Sequence, residues 1–240
     1  MQEIIRFELD GVNCYLLKKQ EEKKKASYML IDTGGHMYMD KTYTDRRKLL
    51  EDKLSEQGVT KDSLSYILLT HGDNDHACNA GYFSQKFECP IIMHKDDAFM
   101  VNNPDSDCHK LNANYQSLLF KITFKLLDKK INALMEKVYS EFESFVPDVL
   151  LDKEISLETF GFEGMIYHTP GHTKGSISIA DHNGNLICGD IFSNMGKPKL
   201  SLNAMDFQEL HDVAKDILGK GIMTVYPGHG EIFEAAQLKI

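Results

Sequence analysis

Residues 3–9 and 12–18 alternate apolar and polar on either side of Asp10-Gly11, the pattern of two paired strands closed by a turn. The apolar run Ser27-Tyr28-Met29-Leu30-Ile31 predicts a third strand, ending at Asp32-Thr33-Gly34-Gly35, where the glycines permit tight backbone. Between strands 2 and 3 lies the mixed-charge tip 18–25, read as a solvated turn. Residues 41–57 set Leu49, Leu50 and Leu54 among charges and predict an amphipathic surface helix. Residues 64–70 read as a buried strand, 79–83 as a helix start and 90–93 as a short strand. The rhythm changes over 103–150. Apolar residues there fall at Tyr115, Leu118, Leu119, Ile122, Leu126, Ile131, Leu134, Met135, Val138, Phe142 and Phe145, which is helical spacing. It predicts one long helix, or two broken near Asp128-Lys129-Lys130. Short strands follow at 155–160, 164–169, 176–181 and 185–189, then a helix N-capped by Asp206 and a buried strand at 223–226. Periodicity by itself reaches an α/β fold with room for two sheets.

The strand ends carry the chemistry. The strand at 64–70 opens into His71-Gly72-Asp73-Asn74-Asp75-His76, four potential metal ligands within six residues. A strand that opens into such a turn and then a helix presents side chains at the carboxyl edge of a sheet, where α/β proteins keep their sites. Imidazole and carboxylate together suit zinc, manganese or iron. A merely solvated polar loop is the plain alternative. Three more strand ends weigh against it: Thr169-Pro170-Gly171-His172-Thr173, Gly189-Asp190 and Tyr226-Pro227-Gly228-His229-Gly230.

In this order, H-x-D-x-D-H followed by His172, Asp190 and His229 resembles the metallo-β-lactamase superfamily of dinuclear metallohydrolases. The likeness runs from Asp32-Thr33-Gly34-Gly35 to Pro227-Gly228-His229-Gly230, and departs at Asp73, where that family usually has its second His. The resemblance implies an αββα sandwich of two mixed β-sheets with outer helices and metals at one edge. It implies that His71, Asp73 and His172 hold one ion, that Asp75, His76 and His229 hold a second, and that Asp190 bridges them. A catalytic zinc takes three protein ligands and keeps one position open, which matches this ligand set. The implied cofactors are two divalent transition-metal ions, zinc first and iron or manganese as alternatives, sharing a hydroxide that Asp75 orients. The implied activity is hydrolysis of an ester, thioester, lactone or phosphodiester bond. Two other readings stand beside it. One is an iron-binding redox protein, because flavodiiron proteins place a carboxylate at the Asp73 position. The other is a non-catalytic metal-binding sensor.

Composition narrows the setting. The 240 residues suit a single domain over 1–240 with a helical insert at 103–150, and 42% hydrophobic residues supply a sizeable core. A net charge of −9, from 27 basic and 36 acidic residues, argues weakly against a nucleic-acid substrate, which a local basic patch would still allow, and favours a small molecule. The start lacks the apolar stretch of a signal peptide, and no uncharged apolar run would span a bilayer. Five cysteines without a C-x-x-C pair point to a reducing cytoplasm. Cys78 and Cys188 read as packed side chains. Of the remaining histidines, His36 lines the cleft at most, His94 opens the next helix as the resemblance implies, His168 packs near the ligand turn, and His182 and His211 are surface residues. Lys174, Asn194 and Lys197 follow the ligand strands and are within reach of a substrate anion. The insert's apolar stripe needs a partner surface, either the domain itself or a second subunit in a homodimer. Its lysines at 121, 125 and 129 form an i, i+4 ladder on the other side.

Overall fold

In a computed structural model that describes residues 2–20, 25–38, 43–111, 114–115 and 117–240, the hairpin forms from β1 (Gln2–Glu8) and β2 (Asn13–Lys19). Asp10 and Gly11 both take positive φ, 55° and 103°, as a type I′ turn requires. The centre of the charged tip, 21–24, lies outside the described residues, as do 39–42. β3 (Ser27–Ile31) pairs antiparallel with β2; helix α1 (Arg46–Glu56) follows, capped by Asp45 accepting from the Lys48 amide. β4 (Leu64–Leu68) then lies parallel to β3. Helices α2 (Asn74–Ala77) and α3 (Ala80–Phe87) lead to β5 (Ile91–His94), and α4 (Ala98–Asn102) and α5 (Leu118–Ser140) lead to β6 (Val149–Leu151). The first sheet has the order β1-β2-β3-β4-β5-β6.

The second half repeats the plan. β7 (Ile155–Ser156), β8 (Met165–His168), β9 (Ile177–Ala180) and β10 (Asn185–Ile187) run antiparallel. β11 (Phe192–Asn194) and β12 (Lys199–Leu200) form a ribbon. Helix α6 (Phe207–Gly219), capped by Asp206, precedes β13 (Thr224–Tyr226), which lies parallel to β10. β14 (His229–Gly230) then pairs with β11, and β15 (Phe233–Glu234) with β13.

Strand alternation sorts the apolar residues into layers. Leu16, Leu30, Ile67 and Met93 face outward from the first sheet, beneath Leu50 and Leu54 of α1 and Phe83 of α3. Their neighbours Leu17, Met29, Leu68 and Ile92 face the other way and meet Ile166, Ile177, Ile179 and Ile187 of the second sheet. Leu186 and Val225 turn to Leu210, Ala214 and Ile217 of α6. The layers are helix, sheet, sheet, helix: an αββα sandwich.

Three expectations change, and the two readings of the insert resolve to one. The strand expected over 155–160 stops at Ser156. Residues Leu157–Phe160 make a 3-10 turn, with the Ser156 hydroxyl accepting from the Glu158 amide and Gly161 closing it at φ 86°. Asp128-Lys129-Lys130 does not break the insert: α5 is continuous, since neither Gly nor Pro interrupts it. It begins at Leu118, because Tyr115 is held in an antiparallel bridge to Asn203. Its apolar stripe is also only partly covered. Met135, Val138 and Tyr139 pack on the core, whereas Leu118, Leu119, Ile122 and Leu126 are 72%, 73%, 50% and 80% exposed.

Candidate metal centre

The turn 70–76 is built on the ends of β3 and β4. Asp32, just past β3, sits in the left-handed region (φ 61°), which aspartate tolerates better than most residues. Its Oδ1 accepts from the Thr70 amide (2.7 Å) and its Oδ2 from the Thr70 hydroxyl (2.8 Å). The same Oδ2 lies 2.8 Å from His76 Nδ1. Asp73 stands at the N-terminal cap of α2 but makes no capping bond with its side chain, which turns inward beside His71 and His172.

The other ligand-type residues come from the second half of the chain. His172 follows β8, Asp190 follows β10, and His229 opens β14, just past β13. Asp97, fully buried, ties the two halves together. It accepts from the Gly72 amide (3.0 Å), the Thr173 hydroxyl (2.6 Å) and the Gly175 amide (2.7 Å). The N-terminal hairpin holds the C-terminal turn. Asn13 Nδ2 donates to the carbonyls of Pro227 and Gly230, and the Tyr15 hydroxyl also donates to Pro227. Glycine is required at Gly228: a Cβ there would overlap Asp190 Oδ1 and lie 2.7 Å from His76 Cε1.

All seven predicted residues converge. His172 Nε2 is 3.1 Å from Asp73 Oδ2, and His71 Nε2 is 3.6 Å from the same oxygen. His229 Nε2 is 3.2 Å from Asp75 Oδ2, and His76 Nε2 is 3.9 Å from it. Asp190 lies between the two groups, its oxygens 3.4 Å from His76, 3.3 Å from His229 and 3.7 Å from His172. His71, His76 and His172 are buried; the cleft above them has a volume of about 350 Å³ and is lined also by Ser193, Met195, Ser201, Leu202 and Asn203.

The four imidazoles share one arrangement: Nδ1 is bonded outward and Nε2 points in. His76 Nδ1 faces the Asp32 carboxylate, His172 Nδ1 the Asn203 carbonyl (3.1 Å), and His229 Nδ1 the Gly11 carbonyl (2.7 Å). These partners only accept, so each Nδ1 carries the proton. His71 Nδ1 lies 2.9 Å from the Thr70 hydroxyl, whose own proton goes to Asp32, so here too Nδ1 donates. In neutral rings every Nε2 therefore offers its lone pair to the cleft. His71 Nε2 is buried and makes no hydrogen bond.

Protonation follows from burial set against charge. Burial pushes His71 down to about 4, with His76 adding to the effect. Burial also opposes the charged forms of His76, His172 and His229, but the surrounding carboxylates reverse it: His172 rises to about 9 and the other two lie well above the usual range. Asp75 and Asp190 would be raised by burial, yet His76 and His229 hold both below the usual carboxylate range.

Several residues singled out from the sequence lie elsewhere. His36 faces Asp45 at 3.4 Å. Asn194 spends its amide on the Glu231 carbonyl, and neither Lys174 nor Lys197 lines the cleft. Cys78 and Cys188 are buried free thiols. His94, Asp96 and His168 form another ligand-type group. The two rings stack at 4.0 Å and 8°, so their in-plane lone pairs run parallel and do not converge on one ion. The residues missed were the anchors: Asp32 as an acceptor, Asp97, Gly11, Asn13 and Asn203. Only Asp32 carried a signal, as a charged residue ending an apolar strand before a glycine turn. Among the described residues no helix is long and apolar enough to cross a membrane.

Comparison with known proteins agrees with this architecture. The family profile described as metallo-beta-lactamase superfamily matches residues 8–229. A probable metallo-hydrolase of Methanocaldococcus jannaschii is 28% identical over 86% of this chain and 87% of its own length. BLEG-1, a B3 metallo-beta-lactamase, aligns with a TM-score of 0.63 at 18% identity over 98% of this chain and 95% of its own. TTHA1623, solved in a di-iron-bound form, aligns with a TM-score of 0.57 at 17% identity over 98% of this chain and 96% of its own. At these identities the likeness to the solved structures is one of fold.

Proposed function

The chain belongs to the metallo-beta-lactamase superfamily, and from that premise we propose that it is a hydrolase of small molecules whose site holds two divalent metal ions. The observation that carries this reading is the common orientation of the four imidazoles around three carboxylates, with the buried Nε2 of His71 lacking a hydrogen bond. A buried nitrogen without a partner costs about 1–3 kcal/mol, and an ion is the chemistry that satisfies it. The donor set is imidazole and carboxylate, which suits zinc, iron or manganese.

His71, Asp73 and His172 would hold one ion, Asp75, His76 and His229 the other, with Asp190 between them. Ligation by Asp73 is supported by its inward side chain, 3.1 Å from His172 Nε2. When bound, such a pair of ions acidifies a water and polarises a carbonyl or phosphoryl oxygen. The chain's own contributions are positional. The Nδ1 anchors fix the imidazole planes, and Asp75 would accept a hydrogen bond from the attacking water and so orient it. Ser193, Ser201 and Asn203 present polar groups to a substrate in the cleft, beside the apolar Met195 and Leu202. Ester, thioester, lactone and phosphodiester bonds all suit this arrangement. Zinc is the first choice of ion, and the hardness of Asp73 moves the preference towards iron or manganese.

Elemental analysis after loading with zinc, iron or manganese, followed by a panel of chromogenic esters and phosphodiesters, tests the reading. Two ions per chain and turnover of at least one substrate are expected. At most one tightly bound ion at saturation removes the two-ion site. Tight iron with oxygen reduction and no hydrolysis favours a redox protein instead. Asp73→Ala is expected to lose one ion and most activity, while Asp73→His restores binding and shifts it towards zinc. Two ions and normal turnover in Asp73→Ala would remove Asp73 from the ligand set.

A further inference from the structure

Beside the cleft of the metal centre lies a second, larger one, of about 430 Å³, between Lys110, Asn114 and Tyr115 on one side and helix α5 on the other. Its apolar lining is Tyr115, Phe124 and Ile131, with the Tyr115 and Phe124 rings stacked at 4.2 Å and 20°. Its polar lining is unequal in charge: Lys110, Lys121 and Lys125 stand against Asp128. Lys110 is paired with Asp107 at 2.5 Å. Lys121 and Lys125, one helical turn apart, make no ion pair among the described residues. In a chain of net charge −9, an aromatic wall beside two uncompensated ammonium groups is a local reversal of sign.

This cleft is tied to the metal centre by backbone. Tyr115 bridges Asn203, the Ala204 amide donates to the Asn114 carbonyl at 3.2 Å, and the Asn203 carbonyl accepts from His172 Nδ1. Asn203 lines the first cleft and Asn114 and Tyr115 line the second, so one short ladder separates them.

We propose that the cleft is a binding site for an organic anion: an aryl or similarly apolar body lying against Tyr115, Phe124 and Ile131, with a carboxylate or phosphate between Lys121 and Lys125. That the occupant is the non-reacting part of the substrate rests on the hydrolase reading; that the cleft binds such an anion does not. A lysine ammonium takes either head group as a point charge, and the aromatic pair offers a flat face to stack on.

Calorimetric titration of the full-length, metal-loaded protein with 4-phenylbutyrate, phenyl phosphate and 4-phenylbutanol at low salt tests this directly. One of the anions is expected to bind at least tenfold more tightly than the alcohol, and the stronger of the two names the head group. Lys121→Gln/Lys125→Gln, both at exposed positions, is expected to abolish that preference while the metal content stays unchanged. Equal binding of the alcohol, no binding by either anion, or wild-type binding in the double variant would overturn the site; the last outcome would place the anion on the metals. Because binding is read without turnover, a failed search for hydrolysis leaves this result standing.

Discussion

Few freedoms remain to the side chains at the metal-turn cluster, and many remain to those on the outer face of α5. At the cluster, each histidine is fixed at Nδ1 by a partner from a different part of the chain: Thr70, Asp32, Asn203 and Gly11. Along α5, Leu118, Leu119, Ile122 and Leu126 face solvent, and among the described residues the helix reaches the core in its last turns, through Met135, Val138 and Tyr139. Both regions were singled out by strong sequence patterns. Polar groups removed from water need partners one by one and so demand a specific frame. An apolar stripe needs only area, which one end of the helix supplies.

Asp32→Ala is the harshest test of that frame. It removes the acceptor of the Thr70 amide, the Thr70 hydroxyl and His76 Nδ1 together. Leaving these buried donors unpaired costs about 3–5 kcal/mol in urea unfolding. Metal affinity should fall by about 10–100-fold or more, as it does when second-layer partners of a ligating histidine are removed. Stability unchanged within about 0.5 kcal/mol would mean that the frame does not depend on Asp32.

Gly228→Ala acts at closer range. The added methyl overlaps Asp190 Oδ1 and presses on His76, so either the turn or Asp190 must shift. A loss of about 1–3 kcal/mol is expected. Metal titration should show a larger defect than stability does, since Asp190 lies between the two groups. An equally stable variant with full metal uptake would show that Asp190 has room to move.

A third difference appears with pH. In the metal-free chain His172 is raised to about 9 from the ordinary 6.5. A histidine raised in the folded state stabilises below its unfolded pKa, and that contribution is lost as pH climbs through the folded value. His76 and His229 are raised in the same sense. His71 is lowered to about 4, so its opposing contribution falls below pH 6.5 and leaves the alkaline side alone. The metal-free protein should therefore lose thermal stability from pH 6.5 to 9. Loaded with metal, the chain should gain over the same range, because the ions compete with protons for Nε2. Parallel pH profiles with and without metal would mean that these histidines do not bind the ions through Nε2.

The sequence made the ligand-type residues legible because each sits in a small-residue turn closing an apolar strand: His71 through His76 after β4, His172 after Pro170-Gly171, and His229 after Pro227-Gly228. It could not show the anchors. Gly11 and His229, or Asn13 and Pro227, are more than two hundred positions apart, beyond any local period. Asp97 reads as one acid among several after β5, and only the assembled sheets bring it to both Gly72 and Gly175. β6 has three residues, too few for alternation to declare itself. The extent of α5 was legible within a few residues. The face it leaves open was not, because helical spacing says which residues share a side and nothing about what stands opposite.

The smallest expected effect falls on that open face. Leu119→Gln and Leu126→Gln replace side chains 73% and 80% exposed. Little apolar area leaves water when these residues fold, so little stability can be lost with them. Glutamine is nearly as good a helix former as leucine, so the backbone has no reason to unwind. Each change should move the unfolding free energy by less than about 0.5 kcal/mol and leave the metal content as it was. A loss above about 1.5 kcal/mol would place these leucines against something in solution. Its dependence on protein concentration would then tell a second copy from the protein's own surface: association makes the midpoint rise with concentration, and an internal contact does not.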